Sequence, residues 1–167
     1  IGWSIPLESA KTNKVFVVTK EEHRKTIEQY IHKNAINNIK FYYVDIPKAY
    51  KCVFKGIAYS LRLNIWLKKA TTVVREICKE EKIDIIHQIT PVEFRSVGDF
   101  YKIQDIPFIC GPLGGGETIP EGLKVYAKGN IFIEYVRHLL NRWYRLFYKY
   151  NKKFQHCDYV FFANEET

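Results

Sequence analysis

The sequence predicts an α/β fold, a doubly wound parallel sheet with helices on both faces. Three observations carry that reading. Short apolar runs rich in β-branched and aromatic residues recur along the chain and stop at glycine, proline or polar clusters, the pattern of buried parallel strands. Longer stretches with helical periodicity separate them, giving the alternating order of a parallel sheet wound by right-handed crossovers. Between residues 84 and 120, two such runs end abruptly in small, polar or glycine residues. In open α/β sheets the loops at the carboxyl ends of strands hold the ligand.

The elements follow in order. Ile1 to Thr12 reads as the second half of a helix, and Lys14 to Thr19 (Lys-Val-Phe-Val-Val-Thr) as a buried strand. A helix is expected from Glu21 to Lys33, with Ile27, Tyr30 and Ile31 on one face and His23, Arg24 and His32 on the solvated one. After a turn at Asn34 to Asn38, Ile39 to Ile46 forms a second strand stopped by Pro47. Lys48 to Gly56 is a basic, aromatic connector. A long helix spans Ala58 to Lys82, with Leu61, Ile65, Ala70, Val73, Val74 and Ile77 at helical spacing. A strand at Ile83 to Ile86, a short helix at Phe94 to Ile103 and a strand at Ile106 to Cys110 come next. Thr118 and Glu121, with Pro120 between them, suggest a capping box for a helix beyond the glycines. A helix from Ile131 to Gln155 and a strand from Asp158 to Ala163 complete the order. The sheet's first strand is expected to precede Ile1, and the start at Ile1 with no methionine suggests a piece of a longer protein.

Composition narrows the partners. A chain of 167 residues, 47% hydrophobic and 26% charged, suits one soluble domain with a real core. Lys and Arg outnumber Asp and Glu by 26 to 18, a net charge of +8 that points to an anionic partner: a phosphorylated ligand, a membrane surface or nucleic acid. The 4 cysteines, Cys52, Cys78, Cys110 and Cys157, form no Cys-x-x-Cys pair, which argues against a metal site and for a reducing cytoplasm. No signal peptide and no membrane-spanning apolar stretch is present in the sequence.

The glycine loop Gly111-Pro-Leu-Gly114-Gly115-Gly116-Glu117 matches neither well-known phosphate motif. Glycines admit positive φ and leave amides uncovered, so the loop reads either as a cradle for a phosphate or sugar hydroxyl or as a tight strand-to-helix turn. His87, at a strand end beside Gln88 and Thr90, is either a hydrogen-bonded structural residue or an orienting group for a hydroxylated acceptor. Glu117 either joins it or caps a helix. No paired carboxylates, nucleophile elbow or metal cluster is visible, so no catalytic residue is assigned.

In the Ile131 to Gln155 helix, Phe132, Val136, Leu139, Trp143, Phe147, Tyr150 and Phe154 form an apolar stripe, while Arg142, Arg145, Lys149, Lys152 and Lys153 gather on another side. The stripe packs on the sheet and leaves a solvated basic face, or the helix meets a membrane surface through Arg142, Arg145, Lys149 and Lys152.

Asp84-Ile-Ile-His-Gln-Ile-Thr-Pro91, Ile106-Pro-Phe-Ile-Cys-Gly-Pro-Leu-Gly-Gly-Gly-Glu117 and Cys157-Asp-Tyr-Val-Phe-Phe-Ala-Asn-Glu-Glu-Thr167 resemble the amino-terminal domain of group 1 (family 4) glycosyltransferases. Gly2-Trp3, Val15 to Thr19 and Val44 to Pro47 fit the same pattern, so the resemblance spans essentially the whole chain. It implies two Rossmann-like domains facing a cleft (the GT-B arrangement). The amino-terminal one binds the acceptor, and a carboxyl-terminal one, absent here, holds the nucleotide-sugar. Retaining chemistry without a metal and work at the cytoplasmic membrane face on glycan or lipid-linked acceptors, as in cell-surface polysaccharide synthesis, come with it. The family's glycine-rich loop after its first strand is absent except for Gly2. Where some relatives place a histidine, this chain has Pro112 and Leu113, so no catalytic histidine is transferred.

The expectation is therefore that residues 1–167 form the acceptor-binding domain of a sugar transferase, inactive alone, with no cofactor beyond the nucleotide-sugar co-substrate. The substrate-side residues are His87, Gln88, Thr90, Gly111, Gly114, Gly115, Gly116 and Glu117. The alternatives are a noncatalytic subunit that recruits a donor-binding chain to a membrane and a basic nucleic-acid-binding domain; no known nucleic-acid motif accompanies the charge.

Overall fold

The computed structural model describes residues 2–46, 59–103, 105–120, 122–123, 131–165 and 167. The Lys48 to Gly56 connector with Cys52, the stop at Pro47 and the Glu121 half of the capping box lie outside them. The chain is mixed α/β, with parallel strands in two sheets, β1-β2 and β3-β4-β5. It divides into two compact units, Ile1–Ile83 with Gly98–Ile103, and Asp84–Val97 with Gln104–Thr167.

In the first unit, β1 (Val15–Lys20) pairs in parallel with β2 (Ile39–Val44), Val15 opposite Ile39 through Lys20 opposite Val44. Helix α1 (Ser4–Ser9) precedes them and α2 (Arg24–Lys33) connects them. Ile27 is buried on α2, whereas Tyr30 is exposed and meets Trp3 edge-on at 5.1 Å. The expected solvated residues His23, Arg24 and His32 are exposed. Arg24 also lies over the Tyr43 ring at 4.0 Å.

Helix α3 (Tyr59–Glu80) buries Ser60, Leu63, Trp66, Leu67, Ala70, Thr71 and Ile77. Ala70 and Ile77 are buried as expected, but in the first half of the helix the face is rotated: Leu61 is half exposed, and Leu63 and Trp66 take the core positions. The Trp66 indole donates to the Val44 carbonyl at 3.0 Å, tying α3 to the end of β2. The indole suits this place because its ring is buried while its N–H finds a backbone acceptor.

In the second unit, β3 (Ile86–Gln88) pairs in parallel with β4 (Phe108–Leu113), and β4 with β5 (Tyr159–Phe162). The strands bond in two sheets rather than in one, since β1 pairs with β2 and β3 with β4, and no ladder joins β1 to β3 among the described residues. The helix expected at Phe94 to Ile103 is not formed; a 3-10 turn at Phe100–Lys102 is present instead. Apolar burial explains the error, because Phe94, Val97, Phe100 and Ile103 are all buried at helical spacing without an α-helix beneath them. Helix α4 (Ile131–Tyr150) stops short of Gln155, where Lys152 takes a left-handed φ of 51° before a 3-10 turn at Lys153–His156.

The rotated face of α3 sets a stability test. Leu67→Ala, at a site 2% exposed, should cost about 2–5 kcal/mol. Leu61→Ala on the same helix should cost less than about 0.5 kcal/mol. Urea unfolding followed by circular dichroism reads both, and comparable losses would place Leu61 in the core.

Candidate functional site

In the second unit β3, β4 and β5 run parallel, the β3 ladder ending opposite Cys110 and the β5 ladder opposite Leu113. His87 and Gln88 lie inside β3, and β4 continues through Gly111, Pro112 and Leu113 before the remaining glycines. The final strand then delivers Asn164 and Thr167 beside the glycine segment.

Gly111 sits where β5 lies too near β4 for a side chain. Its φ is +126°, and a Cβ there would collide with the Phe161 carbonyl oxygen. Glycine is required on both counts. The His87 Nε2 lies 2.9 Å from the Gly111 carbonyl. A carbonyl only accepts, so the ring nitrogen facing it carries a proton.

The glycines beyond are held by protein groups rather than bare. The Gly114 amide donates to the Val92 carbonyl at 2.6 Å, and its own carbonyl accepts from the Phe94 amide at 3.0 Å. Glu93 and Gly114 form a parallel bridge there. The Gly115 carbonyl accepts from the Asn141 side chain at 3.1 Å, and the Gly116 carbonyl accepts from Arg145 at 3.0 Å. The Gly116 amide donates to the Thr167 hydroxyl at 3.4 Å. Arg145, expected to face a membrane, is thus a ligand of this loop.

Glu117 is the centre of the arrangement. Its carboxylate accepts from the Asn164 amide. The Asn164 carbonyl in turn accepts from the Thr167 amide at 3.0 Å and hydroxyl at 2.8 Å. The Glu117 carboxyl is held below its ordinary value by its own backbone amide first, then by Asn164, with the Gly115 amide and the Arg137 charge adding. It is an ionised acceptor at neutral pH.

Of the other predicted site residues, Gln88 is buried and donates to the Ser96 carbonyl at 2.9 Å, so its amide serves the fold. Thr90 is exposed and precedes a cis bond to Pro91. Sequence reasoning missed Asn141, Asn164, Thr167 and the part-buried pair Glu93–Arg95. Asn164 had a readable signal, a polar residue straight after an apolar strand, the same cue that marked His87. Cys110 is fully buried, and desolvation pushes its thiol up to about 12, which rules it out as a nucleophile near neutral pH. No His, Cys, Asp and Glu group suited to a metal ion occurs among the described residues.

No family model, curated protein or solved structure matches this chain.

Gly111→Ala should lower stability by about 2 kcal/mol or more, since strain and overlap add. Gly114→Ala should stay within about 1 kcal/mol, because its Cβ would meet the Glu117 Oε1 at 3.6 Å, an ordinary contact. Denaturant titrations distinguish the two, and equal costs would refute the close-approach role of Gly111.

Glu117 makes a pH test. Its lowered folded pKa contributes stability that is fully present above the ordinary value of 4.5 and is lost as pH falls through the folded pKa. The stability difference between the native chain and Glu117→Gln should be constant near neutrality and shrink in acid. A difference independent of pH down to full protonation would show that the carboxylate charge is not held by these partners.

Proposed function

We propose that the chain is the acceptor-binding, amino-terminal domain of a retaining GT-B glycosyltransferase that transfers a sugar from a nucleotide-sugar to a glycan or lipid-linked acceptor. The observation that carries the reading is the rim of β3, β4 and β5, where His87 and the glycine segment bearing Glu117 stand at the carboxyl ends of parallel strands. An ionised carboxylate receives hydrogen bonds from sugar hydroxyls, and an imidazole is a polar group that can bond to them as well. The motif resemblance over Asp84–Pro91, Ile106–Glu117 and Cys157–Thr167 supports the same assignment. On this reading the parallel strands are those of a Rossmann-like fold, and the donor is held by a second domain. Cytoplasmic work at a membrane face is part of the proposal; among the described residues no helix is long and apolar enough to cross a membrane.

The reaction then needs both halves of a cleft, because positioning the two reactants supplies much of the rate enhancement. The isolated chain should transfer no sugar and show no tight site for uridine or guanosine diphosphate sugars by titration calorimetry. Short oligosaccharides should perturb the amide resonances of Gly114, Gly115, Gly116 and Glu117, and Glu117→Ala should abolish the perturbation while the remaining spectrum is kept. Micromolar nucleotide-sugar binding by this chain, or oligosaccharides that leave the rim resonances unmoved, would overturn the assignment.

A further inference from the structure

Helix α4 turns its large apolar side chains away from the protein. Its buried face is Asn141, Tyr144 and Tyr148, with the Tyr148 hydroxyl donating to the Arg95 carbonyl at 2.9 Å. On the opposite face Phe132, Tyr135, Leu139, Trp143, Leu146 and Tyr150 follow one another by three or four residues, each between 47% and 87% exposed. Most of the stripe expected to pack on the sheet is therefore the outward one. A contiguous exposed apolar face of this size marks an interaction surface.

The charges beside it say what covers it. Arg142 and Lys149 are exposed along one border of the stripe, and Lys152 is exposed just past the helix end. The acidic residue of the helix, Glu134, is paired with Arg137. A second copy docking through the same face would bring more cations and no carboxylate to meet them. An anionic lipid surface meets both features, since headgroup phosphates face the cations while Trp and Tyr rings settle at the headgroup level. We infer that α4 docks the protein flat on an anionic bilayer through this aromatic stripe and its cationic border. The inference stands independently of the sugar-transfer reading.

The test uses the whole chain with vesicles of phosphatidylcholine alone or mixed with phosphatidylglycerol. The chain should sediment with the mixed vesicles, and high salt should release it. Reversing Arg142, Lys149 and Lys152 to Glu should weaken partitioning by roughly a hundredfold, with circular dichroism unchanged. Leu139→Gln with Leu146→Gln should weaken it as well. Lipids brominated in the acyl chain should quench tryptophan fluorescence on binding, and Trp143→Phe should remove that quenching while the chain still sediments. Equal sedimentation of the charge-reversed chain, or sedimentation with neither vesicle, would overturn the inference. So would a solution dimer that Leu139→Gln with Leu146→Gln dissociates, which would assign the stripe to a second copy.

Discussion

The contact between Gly111 and the Phe161 carbonyl governs the second unit. With no side chain on β4 at that point, β5 approaches closely enough for the chain after Phe162 to reach the glycine segment. Asn164 and Thr167 then bond to Glu117 and Gly116, and the His87 ring closes on the Gly111 carbonyl from β3. Helix α4 adds the Asn141 and Arg145 bonds to the same segment.

This changes what the glycine segment is for. A bare loop would offer its amides to a phosphate, but here the Gly114 and Gly116 amides already have acceptors within the protein. Buried backbone groups rarely go unpaired, so a loop that is partly buried in its own structure satisfies them internally. What the rim presents is side-chain chemistry: a carboxylate with its charge stabilised and an imidazole held against the Gly111 carbonyl. Such groups suit hydroxyl donors better than anions, which is the direction in which the acceptor-side reading points.

Much of the fold was legible because strands declare themselves by composition. Val15–Lys20, Ile39–Val44 and Tyr159–Phe162 lie where β-branched and aromatic runs placed them. Faces were harder. On α3 the apolar residues are too many to choose a side, and tertiary packing selected Leu63 and Trp66 over Leu61. On α4 the rule that apolar residues turn inward failed for most of the stripe, because buried Tyr144 and Tyr148 satisfy the body and most of the remaining rings face out. The Phe94 to Ile103 segment shows the converse, helical spacing without a helix. At the rim, His87 and Glu117 stand out in the sequence by their place after apolar runs, while Asn141 is hidden in a helix whose periodicity gives it no distinction.

The hydrogen bonds around Asn164 have a fixed polarity. Its carbonyl end receives from both groups of Thr167, and its amino end gives to Glu117. Turning the amide over would face donors with donors and one acceptor with another, so the local network itself holds the orientation. Aspartate would set a second negative charge against Glu117, and glutamine would extend the reach by a methylene. Asparagine at 164 thus behaves as a keyed part, with length, charge and handedness of bonding all specified by its neighbours.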